Sequence, residues 1–306
     1  MATNDRKSLA VSIKTRILLS FLTVILVLSV PIAALGYRVI QKDVIESAER
    51  KVLNDLIVAE TVYTGEIERI GQALRLASPE DDTRALRDRL NLHYLRRVDR
   101  PDFDTLASEI AGMAVKEGKP IGGTRVISPA ELAAMDGDVP GKVAIEIKAT
   151  PKARPTDRHM VSSGMAKEYA VPIFDKTGEI KAVLYGGRII NRDYTLVDRV
   201  RDMVFGKGAY KSKPVGTVTI FQDDVRISTN VQDEAGQRAI GTRVSDEVYD
   251  AVIKHGRTWH ERAFVVTDWY KTAYEPIRSI HGDIIGILYV GILEQPFNDM
   301  ARQILM

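Results

Sequence analysis

Asp175-Lys176-Thr177-Gly178 sets an aspartate ahead of a flexible glycine, a grouping whose carboxylate could accept a phosphoryl group. Phosphoryl transfer also needs side chains that hold magnesium and a loop that cradles phosphates. The chain has neither a Walker-type loop nor a convincing acidic cluster downstream. Gly206-Lys207-Gly208-Ala209-Tyr210-Lys211 lacks the Gly-Lys-Ser/Thr ending of such a loop and reads as a helix end followed by a linker. The histidines His93, His159, His255, His260 and His281 form no pair at metal-ligand spacing with a carboxylate on the same helical face. No Gly-x-Ser-x-Gly elbow is present, and the absence of cysteine removes disulfides, iron-sulfur clusters, thiolate zinc sites and covalent haem. No catalytic residue, metal site or cofactor is therefore expected, and the chain is not read as an enzyme.

Side chains suited to recognition remain. Arg226, Ser228, Thr229 and Asn230 lie on one predicted strand, and Trp269, Lys271, Thr272 and Tyr274 on another. Strand alternation puts Arg226, Ser228 and Asn230 on one face, with Thr229 on the other or past the strand end. An arginine fork suits a carboxylate, whereas Trp269, Tyr270 and Tyr274 read as core or interdomain packing ahead of ligand stacking, since large aromatics fill the faces of a small sheet. Earlier in the chain, His159, Lys167 and Tyr169 precede or enter a comparable strand.

These strands need a scaffold, and a comparison of the chain with itself supplies it. Shifted by 104 positions, the 16 residues from Pro172, PIFDKTGEIKAVLYGG, lie on PIRSIHGDIIGILYVG from Pro276, with seven identities. Each copy is an apolar strand, a polar turn with glycine, and a second apolar strand, the pattern of a hairpin. Asp175-Lys176-Thr177-Gly178 falls on Ser279-Ile280-His281-Gly282, so the turn requires only the glycine. Lys167 coincides with Lys271 in the same register. The second copy is preceded by Thr217–Gln222 and Val225–Val231 around Asp223-Asp224, then by a helix capped at Ser245 and running through His255. Together with strands at Arg262–Glu275 and Ile284–Ile292, these predict a five-stranded sheet with a helix inserted after its second strand.

Upstream, Ile17 to Gly36 carries no charge and as a helix matches the roughly 30 Å of a bilayer's hydrocarbon core. Arg6, Lys7, Lys14 and Arg16 precede it and place the N-terminus in the cytoplasm. A retained anchor is favoured over a cleaved signal peptide ending near Ala34-Leu35-Gly36, because the apolar run is long. From Tyr37 to about Ala77 one helical stripe recurs at Ile45, Ala48, Val52, Leu56, Ala59, Tyr63, Ile67, Ile70 and Leu74. Ser78 and Pro79 then look like the cap and first residue of a second helix reaching about Arg96. Lys and Arg total 43 against 41 Asp and Glu and are scattered, so nucleic-acid binding is disfavoured.

The segments GTVTIFQDDVRISTNV, RAIGTRVSDEVYDAVIKHG and RAFVVTDWYKTAYEPIRSIHGDIIGILYVGILEQPF resemble the membrane-proximal half of a double Cache ectodomain. The likeness is to the fused Cache_3-Cache_2 type of bacterial sensor histidine kinases and chemoreceptors. VAIEIKATPKARP and YAVPIFDKTGEIKAVLYGGRIINRDYTLVD are similar to the matching distal half. The resemblance implies an α+β fold of two tandem PAS-like domains with antiparallel sheets along a long stalk helix. It also implies a small organic ligand, homodimerisation along the stalk, and a cytoplasmic-membrane location with residues from about 37 onward outside. The implied organisation is a cytoplasmic segment 1–16, a transmembrane helix 17–36 and a stalk 37–77. A distal domain 78–190, a linker 191–215 and a proximal domain 216–294 follow, and 295–306 begins an outgoing helix toward a second membrane span. RIST and TAYEP are similar to related citrate and dicarboxylate sensors, whose ligand-contacting positions fall here on Arg226, Thr229 and Lys271 or Thr272. Threonine replaces a histidine and only Lys271 supplies a cation near the second strand, which disfavours a tricarboxylate. A membrane-anchored solute-binding or adaptor protein is the alternative.

Overall fold

The computed structural model describes residues 13–77, 82–135, 139–211 and 213–303. It comprises a body, Ala48–Pro296, and a second unit formed by the residues up to Ser47 and from Phe297 onward. Helix α1 runs Ile13–Arg75. In the second unit its Ile13–Ile32 stretch has mean hydropathy 2.2 and is long and apolar enough to cross a membrane. The span expected from the sequence, Ile17 to Gly36, overlaps this stretch. Helix α8, Gln295–Gln303, forms at the position predicted for an outgoing helix.

Within the body, the predicted stripe is the buried side of α1. Ala48, Val52, Leu56, Ala59, Tyr63, Ile67, Ile70 and Leu74 are all at most 8% exposed. The side chain of Ile45 lies outside the described residues, as do Ser78 and Pro79. Asp82 caps the next helix, α2 (Thr83–Arg89), by accepting from the Arg84 N–H. The predicted continuation to Arg96 does not form. The chain turns at Asn91, φ 52°, and Tyr94–Asp99 becomes strand β1, because it pairs antiparallel with an apolar strand of the first hairpin.

After β1 come a 3-10 turn at Arg100–Thr105, α3 (Glu109–Glu117), β2 (Ile121–Ile127), α4 (Pro129–Ala133) and α5 (Val139–Val143). A short ribbon, β3 (Ile145–Glu146) with β4 (Met160–Val161), leads to β5 (Gly164–Phe174) and β6 (Ile180–Ile189). The first sheet has the order β1-β6-β5-β2. Helix α6 (Thr195–Val204) and the ribbon β7 (Ala209–Tyr210) with β8 (Lys213–Pro214) connect it to the second sheet. That sheet contains β9 (Gly216–Gln222), β10 (Val225–Thr229), β11 (Arg262–Val265), β12 (Asp268–Arg278) and β13 (Ile284–Leu293), in the order β10-β9-β13-β12-β11. Helix α7 (Asp246–Val248), capped by Ser245 and continued as a π-helical turn Tyr249–Lys254, is inserted after the second strand as predicted.

The two hairpins repeat in register as well as in sequence. Ala166 faces Ile189 and Tyr270 faces Leu293, and both ladders slip at the same place, between Ile173 and Phe174 and between Ile277 and Arg278. Asp175 N–H donates to Glu179 O and Ser279 N–H to Asp283 O, both at 2.8 Å. Gly178 and Gly282 have φ of 84° and 90° with open space around them, so backbone conformation rather than crowding selects glycine.

Each sheet has one face toward α1 and one face away. Met165, Tyr169 and Leu184 of the first sheet share an apolar cluster with the α1 stripe and with Val218, Ile220, Ala273, Ile277, Leu288 and Val290 of the second. The opposite faces form separate clusters, one around Ile110, Ile127, Val183 and Tyr185 and one around Phe221, Val252, Tyr274 and Tyr289.

Candidate functional site

The position of Asp175 shows what its carboxylate does. It accepts from the N–H groups of Thr177 (2.8 Å) and Glu179 (3.1 Å) and from the Thr177 hydroxyl, and those bonds, the Thr177 hydroxyl foremost, hold its pKa below the usual carboxylate range. The residue closes a turn. Among the described residues no group of three His, Asp or Glu could hold a metal.

The strand alternation predicted for Arg226, Ser228 and Asn230 is broken by a bulge between Arg226 and Ser228. Arg226 and Thr229 consequently lie on the face away from α1. Ser228 turns to the linker and donates to the Asp193 carbonyl at 2.6 Å. Asn230 secures the strand end, accepting from Val218 N–H (2.6 Å) and donating to Gly216 O (3.0 Å).

Arg226 is 4% exposed and lies over the Phe221 ring, 4.9 Å from its centroid. Its Nε donates to Thr242 Oγ1 at 3.0 Å, and Nη1 donates to Thr219 Oγ1 at 2.9 Å and Thr229 Oγ1 at 3.3 Å. Among the described residues no carboxylate reaches it. Asp224, the obvious neighbour in sequence, is held instead by Arg243 Nε at 2.7 Å. Burial pulls the pKa of Arg226 below the ordinary arginine value, and Tyr289, Tyr274 and Tyr270 oppose that shift. The tyrosines pack with Phe221, Tyr274 to Tyr289 at 4.7 Å and Phe221 to Tyr289 at 6.5 Å between centroids. Burial raises the Tyr289 hydroxyl to about 12, even though it is hydrogen-bonded with Thr217. A buried guanidinium with neutral partners, beside phenolic hydroxyls, is equipped to receive an anion.

The other predicted residues divide between the two faces of their sheets. Thr272 donates to the Glu261 carbonyl at 2.7 Å, and Tyr274 packs in the cluster with Phe221 and Tyr289. Lys271 points the other way and pairs with Glu49 of α1 at 2.8 Å. Trp269 is 40% exposed, packed edge-on against Phe264 at 5.5 Å with Arg262 over its ring. In the first sheet Lys167, buried, faces Glu66 of α1 at 3.8 Å, and burial lowers its pKa to about 8 against the pull of Glu66. Tyr169 also faces α1. Its ring fills the space over Gly71 and Gly122, where a Cβ would come within 2.4 and 2.3 Å, and its hydroxyl accepts from Arg75. His159 is exposed and contributes only its carbonyl, to Ile147 N–H at 2.9 Å.

Sequence reasoning missed the polar centre of the first sheet. Glu168, at 0% exposure, accepts from Tyr94 Oη (2.6 Å), Arg125 Nε (2.9 Å) and Ser108 Oγ on the face away from α1. Arg125 also donates to Glu131 at 2.8 Å. Complete burial raises the Glu168 carboxyl, with Arg125 the chief opposing charge. The register of the repeat puts Glu168 where the second sheet has Thr272. The one available signal was a charged residue in a strand otherwise apolar on that face.

Residues 188–304 match the family model described as single Cache domain 3, a range that contains all five strands of the second sheet. No curated protein matches the chain. Among solved structures, the chain is similar to the ligand-binding domain of the Campylobacter jejuni chemoreceptor Tlp3 in complex with L-norvaline, at 9% identity and TM-score 0.40, over 85% of this chain and 94% of that one. It is also similar to the ligand-binding domain of the Pseudomonas aeruginosa amino acid chemoreceptor PctB in complex with L-Gln, at 12% identity and TM-score 0.35, over 83% and 93%. A third is the periplasmic domain of Vibrio cholerae LuxQ, at 10% identity and TM-score 0.33, over 82% and 97%.

Proposed function

We propose that this chain is the extracytoplasmic sensor of a transmembrane signalling receptor, with two Cache units in tandem, and that the second unit binds a small organic carboxylate at Arg226. The observation that carries the reading is the contrast between two buried arginines. Arg125 is neutralised by Glu168 and Glu131, whereas Arg226 has three threonine hydroxyls and, among the described residues, no carboxylate. Such a charge remains costly until an anion arrives. The family-model match over 188–304 supports a Cache unit here, and the in-register hairpins support a second one upstream.

A cleft of about 620 Å³ opens beside α7, and its lining residue Trp259 packs edge-on against Tyr274 at 5.4 Å. The cleft thus lies one aromatic contact from the tyrosines beside Arg226. Asp246, Glu247, Asp250 and Glu261 outnumber Arg257 and His260 around that cleft, so a carboxylate that also bears a cationic group is favoured over a tricarboxylate. The Ile13–Ile32 span, with Lys14 and Arg16 in or near it on the N-terminal side, fits a cytoplasmic-membrane anchor with the body outside. Ligand binding relays to a cytoplasmic output by favouring one packing of the body on α1, in a homodimer formed along that helix.

Thermal unfolding of the full chain in nanodiscs, screened with amino acids and with di- and tricarboxylates, tests the proposal. A saturable rise in Tm that Arg226→Met abolishes is expected, with zwitterionic carboxylates more effective than citrate. An unchanged ligand response in Arg226→Met would remove this site.

A further inference from the structure

A second cavity lies on the edge of the first sheet, away from Arg226. It measures about 790 Å³ and is bounded by the end of α2, the residues before β1, α5 and the turn that follows β6. Four cations, Arg87, Lys142, Arg188 and Arg192, face two carboxylates, Asp88 and Asp193. Asp88 is already held by Arg87 at 2.9 Å. Lys142 has no carboxylate partner among the described residues, and Arg192 Nη2 donates only to the Ala144 carbonyl, at 3.2 Å.

Arg188 sits at the centre. Its Nη2 donates to Asp193 at 3.1 Å, while its Nε is the one buried side-chain polar atom without a partner among the described residues. Nε–H and Nη2–H share one edge of a guanidinium, the edge that an oxyanion engages with two parallel hydrogen bonds. His93 adds a neutral donor. Its Nδ1 accepts the Ile189 N–H at 2.7 Å, burial lowers its pKa despite Asp193, and Nε2–H is left to donate.

We propose that this cleft is a second ligand site, for a small multivalent oxyanion held by the Nε/Nη2 edge of Arg188 with Lys142 and Arg192 around it. Binding draws Arg188 from Asp193. Asp193 also accepts from Thr195 N–H at the start of α6 (3.0 Å), its carbonyl accepts from Ser228 on β10, and the Arg192 N–H donates to Ile227 O at 2.9 Å. Occupancy is thereby transmitted to the strand that bears Arg226. The proposal stands on Arg188 and is independent of what Arg226 binds.

The test is titration of the full chain in nanodiscs with inorganic phosphate, and in parallel with succinate, at ionic strength held constant with chloride, read by thermal unfolding and calorimetry. At least one probe is expected to bind saturably. Arg188→Gln should weaken it about tenfold or more, equivalent to about 1.4 kcal/mol, Lys142→Gln a few-fold, and Arg226→Met not at all. Among the described residues Lys142→Gln removes no hydrogen bond, which keeps the test decisive if Arg188→Gln does not fold. No saturable binding of either probe, unchanged affinity for both probes in both Arg188→Gln and Lys142→Gln, or loss in Arg226→Met of the same binding that Arg188→Gln weakens would each overturn the proposal.

Discussion

Both sheets bury an arginine on the face away from α1, and they treat it in opposite ways. In the first, Arg125 is locked between Glu168 and Glu131, with Tyr94 and Ser108 completing the network. In the second, the position equivalent to Glu168 is Thr272, and Arg226 on β10, a strand with no counterpart in the four-stranded first sheet, is held by hydroxyls alone among the described residues. The same architecture therefore yields one unit that supplies its own counter-ion and one that leaves the charge for something else to answer. Buried ion pairs are costly to break and cheap to replace by apolar groups, which makes the difference measurable.

The largest effect is expected where the pair is complete. Glu168→Gln leaves Arg125 with Glu131 alone and removes the acceptor shared by Tyr94 and Ser108, and should cost about 3 kcal/mol in denaturant unfolding, while Arg226→Met, which strands no opposite charge, should cost less than about 1 kcal/mol or stabilise the ligand-free protein. Comparable losses would erase the contrast. Next is a feature confined to the first sheet's other face. The folded pKa of Lys167 is about 8 against an ordinary 10.5, so the unfolded chain binds the extra proton between those values and stability rises with pH across that window. The gain should reach at most about 3 kcal/mol and vanish in Lys167→Met, followed as unfolding free energy against pH. The smallest effect tests what the sheets share. Gly178→Ala and Gly282→Ala should each cost about 1 kcal/mol, and a large inequality would show that the two hairpins are not equivalent.

The repeat, the α1 stripe and the five-stranded sheet were legible because each rests on periodicity or on a glycine at positive φ, properties local to the chain. Face assignment was less so. The repeat pairs Lys167 with Lys271, but their partners Glu66 and Glu49 on α1 are not legible, since alternation tells which residues share a face and not which face a distant helix covers. The bulge that separates Ser228 from Arg226 carries no glycine or proline to announce it. Glu168 was invisible for a different reason. Its partner Arg125 lies 43 residues away, and nothing in either segment names the other.

The spacing of the α1 stripe has one further consequence. From Ala48 to Leu74 the buried apolar positions advance by 4, 4, 3, 4, 4, 3 and 4, an eleven-residue repeat that stays nearly in line along a straight helix. The spacing alone would accept α1 displaced by one whole repeat. The ion pairs to Lys271 and Lys167 come from Glu49 and Glu66, 17 residues apart and about 25 Å along the axis. Seventeen is not a multiple of eleven, so the two glutamates act as a vernier, and together they single out one alignment of the helix against both sheets.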